Sequence, residues 1–177
     1  MHRIVPVALV LLALAAPARA APDIYNAVLI KQFMVCDGAM AQGCERFGTA
    51  DFKAARALFQ RAANQGHAGA QNNLGMMYES GAGMPIDHAA ARQWFAKSAQ
   101  AGVAMARYNL AMLLATAHIM QQSNRPQYRD ADMAAAYMWL TLAAQDGLAP
   151  AIEGKPELAG FLTPAQAEAA KKMLRAR

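Results

Sequence analysis

Charge is scarce in this chain: Asp, Glu, Lys and Arg make up 16% of 177 residues, against a usual share of about 25%. Cysteine is scarcer still, with Cys36 and Cys44 alone, which excludes a disulfide-dense miniprotein. Beyond His2 there are only His67, His88 and His118, none at metal-ligand spacing from another and none in a His-Glu-x-x-His pair, so no metal is expected. His67 and His88 read as surface residues of turns and helix starts. Ser80, Ser98 and Ser123 lie in neither Gly-x-Ser-x-Gly nor Ser-x-x-Lys, so the acyl-enzyme signatures are missing and no catalytic residue is expected. Gly81-x-Gly83 follows a helical pattern and precedes Pro85, unlike a phosphate loop, and no cofactor is expected. The net charge is +5, and Arg3 and Arg19 lie in the leader with no acid beside them, leaving 15 basic against 12 acidic side chains. Such a balance, without a basic cluster, argues against nucleic acid as partner.

What is present is apolar. Hydrophobic residues make up 56%, which excludes disorder, and 44 alanines favour helices that approach closely. Met1-His2-Arg3, an uncharged run from Ile4 to Ala16, and Ala18-Arg19-Ala20 read as a signal peptide (residues 1–20) cleaved after Ala20. The run falls short of the ~20 residues needed to span a bilayer, and no later segment reaches ~18, so no stable membrane insertion is expected after cleavage. The expected location is an oxidising, periplasmic compartment, the alternative being an uncleaved anchor. The 157 mature residues suffice for one domain with a sizeable core.

The chain repeats itself. Ala55-Arg56-Ala57-Leu58-Phe59, Ala63, Gly66, Ala70, Asn73-Leu74-Gly75 and Tyr78 return 36 positions on as Ala91-Arg92-Gln93-Trp94-Phe95, Ala99, Gly102, Ala106 and Asn109-Leu110-Ala111. A further shift of 45 brings Ala136-Tyr137-Met138-Trp139-Leu140, Ala144 and Gly147. A period in this range means stacked repeats, and the extra nine residues mean an insertion, roughly Ala117 to Ala131. Within a unit, Ala55, Phe59, Ala62 and Ala63 share one helix face. Gly66, Gly102 and Gly147 stand where each first helix should stop. A second helix carries Ala70, Leu74 and Tyr78, or Ala106, Leu110 and Leu114. Gly81 to Ile86 breaks the chain before Asp87, a good N-cap.

The string from Ala55 to Asp87, with Asn73-Leu74-Gly75, Gly81-x-Gly83 and Pro85-x-Asp87, resembles the Sel1-like repeat, a relative of the tetratricopeptide repeat. The resemblance covers residues 51–147 and implies an all-α fold: an α/α solenoid of helix-turn-helix repeats, whose third unit keeps only its first helix. In the second unit Ala111, Leu114 and Ala117 replace consensus residues. A cysteine-rich, secreted bacterial branch of that family carries a Cys-x7-Cys pair, and Cys36 and Cys44 match it. The resemblance implies a disulfide between them. One continuous helix would hold residues eight apart about 12 Å apart, so a turn is needed, and Gly38 and Gly43 permit one. Two free thiols are the alternative. With Cys36 set on Ala63, Gly48 falls on Gly75, so residues 21–50 read as a degenerate opening repeat. Residues 148–177 read as a mostly irregular connector, rich in proline and glycine as far as residue 162, and then a capping helix opened by Thr163-Pro164-Ala165-Gln166.

Met76, Met77, Met112, Met120, Met133 and Met138 stand among leucines at helical spacing, which favours core filling over soft-metal binding. Trp94 and Trp139, at equivalent places, read as anchors between helices. Asn73 and Asn109 are expected to bond backbone inside the array. For a partner, two basic rows stand out: Arg56 with Arg92, and Arg61 with Lys97. The insertion adds Arg125, Tyr128 and Arg129, residue types common in binding hot spots. The alternative for the rows is a solvated face. The resemblance implies a non-enzymatic scaffold, adaptor or regulator that binds a protein partner in the bacterial envelope. It also leaves β-lactam or peptidoglycan-fragment binding or weak hydrolysis, and a secreted host-interacting effector, as alternatives.

Overall fold

The computed structural model describes residues 34–36, 41–49, 51–120 and 130–176. The leader expected at residues 1–20 lies outside them. Among the described residues there are eight helices and no strand: α1 (Ala41–Gly48), α2 (Phe52–Asn64), α3 (Ala68–Ser80), α4 (His88–Gln100), α5 (Ala104–Met120), α6 (Asp130–Gln145), α7 (Ala149–Ala159) and α8 (Pro164–Arg175). This is the expected all-α solenoid of helical hairpins. Two compact units divide the described chain, residues 34–106 and 107–176. In the first, α1 packs on α2, α2 on α3 and α3 on α4. In the second, α6 packs on both α7 and the closing helix α8.

One turn is built three times. Gly66, Gly102 and Gly147 have φ of 89, 91 and 82°, the left-handed region open to glycine. The N–H three places after each first helix reaches back to the equivalent carbonyl: His67 to Ala62, Val103 to Ser98 and Leu148 to Ala143, at 3.1–3.2 Å. These are the bonds that satisfy the last carbonyls of a helix ending in a left-handed residue. Helix starts repeat as well. Asp51 accepts from the Ala54 N–H and Asp87 from the Ala90 N–H, 36 residues on. At α8, Thr163 accepts from the Gln166 N–H while the Gln166 side chain accepts from the Thr163 N–H, the reciprocal cap its sequence promised.

Packing in the first unit turns on two glycines. A Cβ at Gly75 on α3 would fall 2.5 Å from the Phe95 ring of α4, and one at Gly43 on α1 would fall 2.3 Å from the Phe59 ring of α2. Each phenylalanine is fully buried. The glycine that does the work of Gly75 in the opening repeat is therefore Gly43, and the register placing Gly48 there is corrected. Met76, Met77, Met112, Met133 and Met138 are all buried, as core filling requires.

One further expectation is corrected. Residues 148–162 are not mostly irregular, because α7 occupies Ala149–Ala159. Pro150 lies in its first turn, where no intrahelical N–H bond is lost, and Ala151, Gly154 and Leu158 are buried at helical spacing. The third unit therefore has its second helix. Of the insertion, residues 117–120 continue α5 and residues 130–131 open α6, while residues 121–129 lie outside the described residues.

Candidate partner-binding surface

The four basic residues of the proposed rows all lie on α2 and α4, and all are exposed. The buried face of α2 is Ala55, Phe59 and Ala63, and that of α4 is Ala91, Phe95, Ser98 and Ala99. Arg56 and Arg92 each follow the first alanine of that face, so the repeat that buries Ala55 and Ala91 turns both arginines outward. Arg61 and Lys97 stand five places further along. Lys97 is engaged, its Nζ lying 4.4 Å from the ring centroid of Trp94. A cation on an exposed indole contributes about 0.5–1 kcal/mol. Trp94 is thus half-buried beneath a lysine, whereas Trp139 is 7% exposed. Arg125, Tyr128 and Arg129 lie outside the described residues.

Cys36 and Cys44 form a disulfide with a Cα–Cα distance of 5.8 Å. Cys44 lies on α1, 2% exposed, and Cys36 lies before that helix, exposed to solvent. The bridge sits against a polar group that sequence spacing did not connect with it. Asn73 Oδ1 accepts from the Val35 N–H at 2.7 Å, and Asn73 Nδ2 donates to the Val35 carbonyl at 2.7 Å and towards Cys44 Sγ at 3.7 Å. Asn72 Nδ2 donates to Asn73 Oδ1 at 3.3 Å, and both asparagines are fully buried. Asn73 thus bonds backbone, as expected, but the backbone it bonds is 38 residues away. Asn109 is buried at the equivalent place on α5.

Candidate chemistry is otherwise structural. The Ser98 hydroxyl donates to the Ala68 carbonyl and that of Ser80 to the Met76 carbonyl, each at 2.7 Å. His67 and His88 are exposed. Among the described residues no three His, Cys, Asp or Glu side chains gather to hold a metal, and no helix is long and apolar enough to cross a membrane. Glu79 on α3 went unnoticed in the sequence. It retains some exposed area, yet desolvation pushes its carboxyl up to about 7. Its neighbours Tyr78 and Ser80 carry no signal of that burial.

The family model described as Sel1 repeat matches residues 39–67, 68–103 and 104–148. Each matched stretch contains two consecutive helices: α1 with α2, α3 with α4, and α5 with α6. The frame begins one helix earlier than the unit read from Ala55. No curated protein and no solved structure matches the chain.

Proposed function

Because the chain belongs to the Sel1 repeat family, whose repeats are in general protein–protein interaction modules, we propose that it is a non-enzymatic adaptor or regulator of a bacterial cell envelope. The observation that carries this reading is the placement of Arg56, Arg61, Arg92 and Lys97. The repeat that fills the core on one side of α2 and α4 sets cations at matching positions on the exposed side. A partner with an acidic surface would meet two cations from each repeat. The Cys36–Cys44 bridge fits an oxidising compartment, and the leader at residues 1–20 would deliver the chain to the periplasm. Arg125, Tyr128 and Arg129 of the insertion would offer a partner a separate contact of their own.

The test is affinity capture from an envelope fraction, with the chain lacking residues 1–20 as bait. A specific protein should be retained and released by moderate salt, since exposed charges are screened over about 8–10 Å at physiological ionic strength. Replacing Arg56, Arg61, Arg92 and Lys97 together by Ala should abolish retention without unfolding the helices. Equal retention by that variant would remove the basic rows from the interface, and turnover of a small substrate by the wild-type chain would overturn the non-enzymatic reading.

A further inference from the structure

The main chain of Val35 is held as a ligand is held. One primary amide, Asn73, reads both its N–H and its C=O, each at 2.7 Å. Nothing in that pair of bonds involves a side-chain atom of Val35, so any residue that keeps its N–H satisfies it. The neighbouring requirement is apolar, because Met34 is 7% exposed. The floor of the site is built rather than incidental: Asn73 is fully buried and Asn72 donates to it from behind. A buried primary amide left without partners is costly, so a polypeptide backbone belongs in this place.

The chain supplies that backbone itself, and a covalent bond keeps it there. Cys36 directly follows Val35, and its bridge ties the segment to α1. The two sulfurs differ in access, Cys36 being exposed and Cys44 buried. A thiolate from solvent therefore meets the Cys36 side of the bond.

We propose that Asn73 forms the floor of a binding site for a peptide segment with one apolar anchor, filled by the chain's own residues 34–36 while Cys36–Cys44 is closed and opened to a partner's segment when that bridge is reduced. The reductant is a dithiol. Its first thiolate attacks Cys36 Sγ, the bond to Cys44 breaks, and Cys44 leaves as a thiolate that takes up a proton. The second thiol then attacks the mixed disulfide and releases Cys36 as a thiol. The bridge gains two electrons and two protons, and the dithiol becomes a disulfide. Mechanistically this rests on the interaction-module reading, and it specifies a mode of recognition separate from the basic rows.

The experiment uses the full chain and a fluorescein-labelled peptide with the sequence of residues 31–36 carrying Cys36→Ser. In fluorescence anisotropy, the oxidised chain should leave the peptide free. The chain kept reduced with dithiothreitol, or carrying Cys36→Ser and Cys44→Ser, should bind it at least tenfold more tightly. A peptide N-methylated at the Val35 position should lose that binding, because the N–H read by Asn73 is gone. Amide exchange gives a second readout that needs no asparagine variant: the Val35 amide should exchange at least tenfold faster after reduction while α3 and α4 keep their protection. Equal binding by oxidised and reduced chains, no binding by either, or a Val35 amide still protected after reduction would overturn the proposal. Since the probe is the chain's own segment, such a result would leave envelope capture through Arg56 and Arg92 unaffected.

Discussion

The Phe95 ring lies where a side chain on Gly75 would have to go, with ring atoms 2.5 and 2.6 Å from the position of that Cβ. Gly75→Ala sets two effects against each other. Alanine in a helix gains about 1 kcal/mol over glycine, but forcing a methyl into a filled core costs about 1–3 kcal/mol. The steric term should win, lowering stability in urea denaturation by up to about 2 kcal/mol. Positions equivalent to Gly75 and Phe95 in the next repeat hold Ala111 and Leu140, both fully buried. Phe95→Leu should therefore restore much of the loss in the Gly75→Ala background while being destabilising alone. Additive losses would show that the two side chains do not share one space.

The disulfide closes a short loop, and opening it should lower stability by roughly 2–3 kcal/mol on the chain-entropy account. Asn73→Ala removes two bonds to the half-buried main chain of Val35, at about 2–3 kcal/mol. Because both changes release residues 34–36, the losses should be less than additive. A double-mutant cycle of Asn73→Ala with Cys36→Ser/Cys44→Ser, read by chemical denaturation, checks this; strict additivity would mean that the bridge and the amide hold different structures.

Glu79 makes stability depend on pH in an unusual direction for a carboxylate. Its folded value of about 7 lies above the ordinary 4.5, so between those values the folded state holds the proton more firmly than the unfolded one. The resulting stabilisation is complete below about pH 4.5 and is lost as pH rises through about 7. Glu79→Gln should remove that slope, raising stability by roughly 1–3 kcal/mol at pH 8 and little at pH 4. Urea denaturation of both chains across this range is the measurement, and parallel curves would contradict it.

Thr163 caps α8 through the Gln166 N–H. Thr163→Ala should cost about 1 kcal/mol, and Thr163→Ser much less. Thermal denaturation of the three chains gives the ranking.

Much of the fold was legible because each repeat writes the same local rules. Ala55, Phe59 and Ala63 mark a helix face, Gly66 ends it, and Asp87 starts the next hairpin. The α7 helix was obscured because Pro150, Gly154, Pro156 and Gly160 each weigh against helix when counted by type. Position decides instead: Pro150 stands in the first turn, and buried Gly154 lies on the packed face with Ala151 and Leu158. At the candidate site, the family resemblance implied the Cys36–Cys44 pairing, and the exposure of Arg56 and Arg92 could be read from spacing. The three-residue spacing of Trp94 and Lys97 could also have revealed their contact. Asn73 could be recognised as a backbone partner, but Val35 could not be identified as its mate. That bond spans 38 residues and depends on tertiary packing.

The hairpin corners at Gly66 and Gly147 have left-handed backbones, and a methyl added there would meet no atom within 4 Å. Their objection is to handedness alone. A mirror-image alanine, introduced by chemical synthesis or ligation, should seat comfortably at either corner and restrict the unfolded chain, whereas its natural enantiomer should strain the same bend.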